Sequence, residues 1–148
     1  MKTLGIIGAG NMGGSICKAV ALSNDFNSDN IYVYDKYLKN EIRDLGVKCE
    51  SFEEAVKKSD CIILAVKPNV ILSVIEDVKK VCDISGKVFV SIAAGVKLKT
   101  LTDALSSQKV IRVMPNICLS AGEGMCVMCT AENVKDNELS FAKEVFEL

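Results

Sequence analysis

Short apolar runs alternate with amphipathic segments along the chain, and this alternation predicts strands and helices in turn. Runs rich in Val, Ile and Leu predict strands at residues 3–7, 31–34, 61–65, 87–91 and 110–113, with a short weak strand near Val47. Among the segments between them, the clearest helical spacing is that of Val70, Ile71, Val74, Ile75, Val78 and Val81, which predicts one apolar stripe. Alternating strands and helices, joined by right-handed crossovers, predict a single α/β domain over residues 1–148 with a doubly wound, mostly parallel sheet.

Local signals refine this pattern at two places. Ser51 and Glu54 have the spacing of a capping box, which predicts the start of the helix that precedes Cys61. Further along, the glycines of segment 122–124 lead into an apolar run at residues 125–129. Because its connection to the strand at 110–113 is short, we expect this last strand to be an antiparallel neighbour.

The C-terminal segment, residues 135–148, predicts a terminal helix. Phe141, Val145 and Leu148 share one apolar face, which stops with no C-cap residue and no following strand. We therefore expect this helix to expose an apolar face, and we interpret the chain as truncated at its C-terminus.

A glycine pattern follows the first predicted strand. Gly8, Gly10 and Gly13 have the G-x-G-x-x-G spacing and lead into a helical segment. In a dinucleotide site the first glycine allows the tight turn, the second lets a pyrophosphate approach the backbone, and the third lets helix and strand pack closely. The N–H groups at the helix start then face the phosphates. This strand–turn–helix context predicts a dinucleotide site.

The end of the second strand bears on the choice of dinucleotide. Asp35 stands where a carboxylate accepts hydrogen bonds from the adenosine ribose hydroxyls, which favours NADH and repels a 2′-phosphate. Lys36, its neighbour, offsets part of that repulsion. We expect both NADH and NADPH to bind, with a preference for NADH; the alternative is that Asp35 only begins a turn.

Composition narrows the classes of partner. Hydrophobic residues make up 49% of the 148 residues but aromatic residues only 5%, so the core is aliphatic. The net charge is −1 with both signs interspersed, which argues against nucleic acid or an anionic membrane as a partner. We expect no transmembrane segment and no signal peptide, because the charged start leads directly into the first strand, and we expect a cytoplasmic protein.

The seven cysteines lie mostly within apolar runs, so we interpret them as small hydrophobic residues in a reducing compartment. Cys126 and Cys129 form a C-x-x-C pair, which raises the alternative of a metal or redox site. The chain has no second pair of this form and no histidine. We therefore expect no metal site, and in a strand the two side chains would point to opposite faces.

Three further motifs follow the later strands: Ala65-Val66-Lys67-Pro68, Ser91-Ile92-Ala93-Ala94-Gly95-Val96 and Arg112-Val113-Met114-Pro115-Asn116. In this order after the glycine turn, they resemble the N-terminal dinucleotide-binding domain of pyrroline-5-carboxylate reductase, over most of the chain from Thr3 to Met125. The resemblance implies a Rossmann fold that binds NADPH or NADH, and hydride transfer to the C=N carbon of 1-pyrroline-5-carboxylate to yield proline. It also implies a homo-oligomer when full length, with a helical C-terminal domain that is absent from this chain.

The same resemblance implies a set of cofactor contacts. Beside the pyrophosphate it places Gly8, Gly10, Asn11, Met12 and Gly13; beside the ribose and nicotinamide, Ala65, Val66, Lys67 and Pro68; at the nicotinamide, Ala93, Ala94, Pro115 and Asn116. It identifies no catalytic residue, and imine reduction needs none of the His-based pairs that this histidine-free chain lacks, because a protonated imine is already an electrophile.

The chain departs from the family at several positions. Ile117-Cys118 follows Asn116 where the family usually has Thr-Pro, and Phe52 stands where many bacterial members carry an asparagine on the adenosine side. The resemblance places much of the substrate pocket in the absent C-terminal domain, so a related imine or β-hydroxyacid reductase stays open. A stand-alone NAD(P)-binding regulatory module without turnover is the other open function.

Overall fold

A computed structural model describes residues 2–106, 109–115 and 126–148. Within these residues seven strands form one sheet in the order β3-β2-β1-β4-β5-β6-β7. The strands are β1 (Leu4–Ile7), β2 (Ile31–Tyr34), β3 (Lys48–Cys49), β4 (Cys61–Leu64), β5 (Val88–Ser91), β6 (Val110–Pro115) and β7 (Cys126–Thr130). The first six run parallel and β7 pairs antiparallel with β6, as the sequence predicts.

Helices cover both faces of the sheet. They are α1 (Asn11–Leu22), α2 (Asn40–Arg43), α3 (Phe52–Lys58), α4 (Ile71–Val81), α5 (Leu98–Leu105) and α6 (Asp136–Phe146), and a 3-10 turn (Ser28–Asn30) precedes β2. One apolar core, on the face of α1, α2 and α6, includes Ile6, Ile16 and Val33. The other, on the face of α3, α4 and α5, includes Ile62 and Phe89. All residues of β1, β4 and β5 are buried, as expected for central parallel strands covered on both sides. The doubly wound α/β prediction is confirmed.

The helix α3 begins where the capping signal predicts. The Ser51 hydroxyl accepts a hydrogen bond from the backbone N–H of Glu54 at 3.2 Å. In α4 the predicted stripe is shorter than expected, because Val70 is the N-cap and is 39% exposed. Ile71, Ile75 and Val78 carry the buried face, since only residues inside the helix follow its periodicity.

The expectation of an exposed apolar face on the terminal helix is wrong. Val145 and Phe146 are each 1% exposed and belong to the core on the α1 face. Phe141 packs edge-to-face on Phe26, with ring centroids 5.8 Å apart. The N-terminal end of α6 is held by Glu138, which accepts hydrogen bonds from Lys109 Nζ and from the Lys135 N–H.

None of the helices in the described part of the chain is long and apolar enough to cross a membrane. Cys126 packs against the core whereas Cys129 is exposed, which agrees with opposite orientations along β7.

Candidate functional site: the carboxyl edge of the sheet

The turn between β1 and α1 has the backbone geometry that its glycines predict. Gly8 has a φ of +97°, in the region that favours glycine. A Cβ at Gly13 would collide with the carbonyl oxygen of Gly8 and lie 2.9 Å from the Cβ of Ala65, so helix and strands pack closely there. A Cβ at Gly10 would meet no described atom within 4 Å. Gly8 and Gly13 are therefore required by the fold, whereas Gly10 leaves the backbone open to an approaching group.

The N-terminus of α1 begins at this turn. Gly10 is the N-cap, and the N–H of Gly14 donates to its carbonyl at 2.7 Å as the helix starts. Asn11 is exposed and Met12 packs partly against the core. The first turn of α1 carries no acidic residue. The positive end of the helix dipole is therefore available to an anion bound at the carboxyl ends of the parallel strands.

Asp35 ties the end of β2 to the glycine turn. Its Oδ2 accepts a hydrogen bond from the N–H of Ala9 at 2.6 Å, and its Oδ1 accepts one from the N–H of Tyr37 at 2.7 Å. Each carboxylate oxygen keeps a second lone pair, so the group can still accept from a sugar hydroxyl. Lys36 Nζ lies 5.7 Å from the centroid of the Tyr37 ring. Asp35 therefore positions the turn, a role that the spacing alone did not indicate.

The motif after β4 adjoins the same turn. The N–H of Ala65 donates to the carbonyl of Ile7 at 2.8 Å, which extends the β1–β4 pairing beyond the strands. Val66 is half-buried, and Lys67 and Pro68 are exposed. These residues therefore line the carboxyl edge beside the glycine turn, with Lys67 directed to a solvent-accessible position.

The motifs after β5 and β6 continue along this edge. Ala93 is buried in the core on the α3, α4 and α5 face, and its N–H donates to the Ser91 hydroxyl at 3.3 Å. Ala94 is exposed, and Pro115 ends β6 opposite Cys126 of β7. Asn116, predicted as part of the site, lies outside the described residues.

One end of a cavity of about 840 Å³ lies at the glycine turn, at the carboxyl ends of the parallel strands. It begins at Ala9, Gly10 and Asn11 and continues along the outer face of α1 to Ile42 and Leu148. Its greater part is therefore separate from the edge formed by the motifs after β4, β5 and β6.

Two aromatic residues pack together at the end of β2: Tyr34 is not among the predicted site residues, and Phe52 stands out in the sequence only as a departure from the family on the adenosine side. Tyr34 is the last residue of β2, and Phe52 is the first residue of α3; their ring centroids are 5.4 Å apart at an interplanar angle of 72°. The signal that could have found them is the position of an aromatic residue directly before Asp35 and of another directly after the Ser51 cap.

The arrangement suits an elongated anionic ligand. The glycine turn and the α1 N-terminus offer backbone N–H groups to phosphates, Asp35 offers acceptors to a sugar, and small residues after β5 leave room for a flat ring. Ligands of open α/β sheets bind outside the carboxyl ends of the strands, where the strand order reverses on either side of β1.

Comparison with known proteins agrees with this geometry. Residues 3–95 match the family described as NADP oxidoreductase coenzyme F420-dependent. The pyrroline-5-carboxylate reductase of Methanosarcina acetivorans is 36% identical over 98% of this chain and 55% of its own length. The enzyme of that name from Arabidopsis thaliana is 32% identical over 97% and 53%.

A solved structure of a protein with a similar name is also similar to this chain. The crystal structure of Plasmodium falciparum pyrroline carboxylate reductase with NADP bound is 28% identical, with a TM-score of 0.86 over 98% of this chain and 54% of that one. The chain thus spans about half the length of the curated relatives it matches. The chain belongs to the NADP oxidoreductase coenzyme F420-dependent family, and within it is similar to the dinucleotide-binding part of pyrroline-5-carboxylate reductases.

Proposed function

We propose that residues 1–148 are the dinucleotide-binding domain of a pyrroline-5-carboxylate reductase, which reduces 1-pyrroline-5-carboxylate to L-proline with NADPH or NADH. The observation that carries this proposal is the open backbone at Gly10, beside the α1 N-terminus and the Asp35 carboxylate. Relatives of that name match nearly all of the chain, which supports the substrate class.

The residues present fit a dinucleotide. A Cβ at Gly10 would project into the space through which a pyrophosphate reaches the backbone, and the N–H groups of Asn11 and Met12 belong to the first turn of α1. In this proposal the Asp35 carboxylate accepts hydrogen bonds from the adenosine ribose. Lys36 lies beside it and offsets part of the repulsion between Asp35 and a 2′-phosphate. Further along lie Ala65, Val66, Lys67 and Pro68, and then Ala93, Ala94, Pro115 and Asn116 beside the nicotinamide.

The bound dinucleotide supplies a hydride to the C=N carbon of the substrate. In this proposal the chain contributes orientation, because the small side chains of Ala93 and Ala94 leave room for the nicotinamide close to the backbone. Asp35 contributes by holding the N–H of Ala9, the residue between Gly8 and Gly10 in the turn.

The remaining parts of the proposal concern the whole protein. We place the contacts to the substrate carboxylate largely outside residues 1–148, since relatives of twice this length share only this part with the chain. We propose a homo-oligomeric enzyme of the cytoplasm, with a small-molecule substrate and with neither nucleic acid nor membrane as a partner.

The test is oxidation of NADPH and of NADH in the presence of 1-pyrroline-5-carboxylate. It compares residues 1–148 with the product of the longer reading frame, if the gene continues past the codon for Leu148. We expect the fragment to bind the dinucleotides with little turnover and the longer protein to form proline. A native stop after Leu148, with binding and no turnover, would favour a regulatory module instead.

The substrate panel decides between related reductases. Other cyclic imines and β-hydroxyacids are assayed beside 1-pyrroline-5-carboxylate at equal concentration. A higher kcat/KM for any of them would replace the proposed substrate while leaving the dinucleotide site intact.

A further inference from the structure

In the part of the chain that the structure describes, the two edges of the sheet are built differently. At one edge β3 has only two residues, Lys48–Cys49, and Lys48 forms an ion pair with Asp29 at 2.7 Å. At the other edge β7 has five residues, Cys126–Thr130, with neither a charged residue nor a proline. Short strands, charges and prolines are the features that keep a sheet edge from pairing with another chain. The β3 edge is protected in this way, whereas the β7 edge is not.

The backbone of β7 directs hydrogen-bonding groups away from the sheet. Thr130 stands opposite Ile111 of β6, and the N–H of the next residue, Ala131, donates to the carbonyl of Val110 at 2.9 Å. Because successive residues of a strand direct their N–H and C=O groups to opposite sides, those of Met128 and Thr130 point away from β6. Among the described strands β7 is the last in the sheet order, so none of them pairs with these groups. An extended strand fits this edge through its backbone.

The side chains of β7 favour an apolar partner strand. Met128 points to the α6 face and packs partly against the core there. Val127, which is 60% exposed, and Cys129, which is also exposed, lie on the opposite face. Met114 stands opposite Val127 in β6 and is 51% exposed, so the accessible apolar surface continues one strand inward. A partner strand that is uncharged and mostly apolar therefore matches both faces.

A second copy of β7 has these properties. In an antiparallel pair centred on Met128, the outward N–H and C=O groups of Met128 meet those of the partner's Met128. Val127 then stands opposite the partner's Cys129, and no two charged residues of the paired strands face each other. Arg112, the charged residue of β6, lies one strand inward on each copy. The two arginines are thus three strand spacings, or about 14 Å, apart, which is beyond the screening length of physiological salt.

We infer that β7 is a self-association edge, through which two copies of this chain pair antiparallel and join their sheets into one. Because the same strand serves on both copies, the assembly closes at two. The inference goes beyond the proposed function, since neither the glycine turn nor Asp35 belongs to this edge. Two five-residue strands bury a small area, so we expect association in the micromolar range.

Sedimentation velocity of residues 1–148 over a range of concentrations tests this dimer. Val127→Lys places a charge on the edge strand, and Thr130→Pro removes an outward N–H without removing a bond to β6. We expect each change to weaken association about tenfold or more. Leu72→Lys is the matched control, because it makes a similar change at an exposed leucine of α4 and should dimerise as the unaltered protein does. Far-UV circular dichroism checks that each variant is folded.

A monomeric unaltered protein at all concentrations would overturn the inference. So would a dimer that persists unchanged in a folded Val127→Lys or Thr130→Pro variant. NADH titration of the same samples keeps the two proposals separate: loss of NADH binding by the unaltered protein would reject the proposed function and leave the dimer in place.

A disulfide crosslink tests the register. Residues opposite each other on either side of the central pair have Cα atoms about 4.5 Å apart, which permits a disulfide. Val127→Cys treated with diamide should therefore form a covalent dimer through the partner's Cys129, and the further change Cys129→Ser should abolish it. Mass spectrometry of the linked peptides identifies the bond. A dimer that lacks this crosslink, or is linked only elsewhere, would overturn the antiparallel pairing.

Hydrogen exchange tests whether another strand takes the same edge. In the unaltered protein the amides of Met128 and Thr130 should exchange more slowly as the concentration rises, whereas that of Cys129, which points to β6, should not change. If the gene continues past the codon for Leu148, the longer product is measured as well. Slow exchange of Met128 and Thr130 at every concentration, without the crosslink, would assign the edge to a segment of the same chain and overturn the inference.

Discussion

The carboxylate of Asp35 accepts a hydrogen bond from the backbone N–H of Ala9 at 2.6 Å, across 26 residues of sequence. This contact joins the end of β2 to the middle of the glycine turn, and the second oxygen holds the N–H of Tyr37. Asp35 thus has two roles in the proposed site: it fixes the turn that receives the phosphates and presents remaining lone pairs to the ribose.

Replacement of Asp35 by serine should change cofactor preference. The charge that repels a 2′-phosphate is lost, so we expect the ratio of NADPH to NADH affinity to rise, with Lys36 available to the phosphate. Because the Ala9 contact is lost as well, affinity for NADH should fall. Titration of both dinucleotides measures the ratio, and an unchanged ratio would show that Asp35 does not discriminate between them.

Replacement of Gly13 by alanine should destabilise the fold. The new Cβ would collide with the Gly8 carbonyl, and relief requires a shift of α1 away from β1 and β4. We expect a loss of about 1–3 kcal/mol in the free energy of unfolding, typical of overpacking. Urea denaturation measures it, and an unchanged midpoint would contradict the close helix–strand packing.

The ion pair of Lys109 and Glu138 should make stability depend on pH. Burial alone raises the pKa of Glu138, but the N–H of Lys135 and the Lys109 ammonium outweigh it and hold the pKa below 4.5. A lowered folded pKa stabilises the protein above the unfolded pKa, and this contribution is lost as the pH falls through the folded pKa.

Glu138→Gln should therefore cost about 1.5–3 kcal/mol at pH 7, the range for hydrogen bonds to charged groups, and less at pH 3, below the unfolded pKa. Thermal or urea unfolding at both pH values measures the difference. An equal cost at the two pH values would show that the charge of Glu138 is not what matters. Glu144→Gln, an exposed carboxylate of the same helix, is the control.

Buried thiols should react slowly. Burial raises the pKa of Cys17 and of Cys61 to about 12 from 9.0, which lowers the thiolate fraction roughly a thousandfold. With iodoacetamide at pH 8, we expect Cys129, which is exposed, to be alkylated first, and Cys17 and Cys61 only after unfolding. Mass spectrometry of peptides measures the order; early modification of Cys61 in the folded protein would contradict its role as a core residue.

The parts of the fold that could be predicted are those that local sequence determines. The apolar strands and the turn at Gly8 depend on neighbouring residues, so their pattern is visible in the chain. The apolar face of α6 could not be assigned to the core from the residues of α6 alone. The residues that it packs against, such as Phe26 beside Phe141, are distant in sequence. An apolar face has the same spacing whether it is buried or exposed.

The candidate site also has one part that the sequence predicts and another part that it does not. Gly10 was predicted as the point of phosphate approach because the motif itself carries that geometry, and the open space there agrees with it. The contact between Asp35 and Ala9, and the pair of Tyr34 and Phe52, depend on how separate elements meet at the edge of the sheet. Spacing along the chain contains no signal for the first contact. For the second it shows only that one aromatic residue precedes Asp35 and another follows Ser51.

The central claim, that the turn at Gly10 binds a dinucleotide, is tested most directly by NADH titration of the unaltered protein, Gly10→Val and Gly86→Val. Both glycines have open space where a Cβ would lie, but only Gly10 is at the carboxyl edge of the sheet. We predict that Gly10→Val remains folded and loses NADH binding, because its side chain occupies the path of the pyrophosphate, and that Gly86→Val binds as the unaltered protein does. Unchanged NADH affinity in a folded Gly10→Val variant would contradict the account.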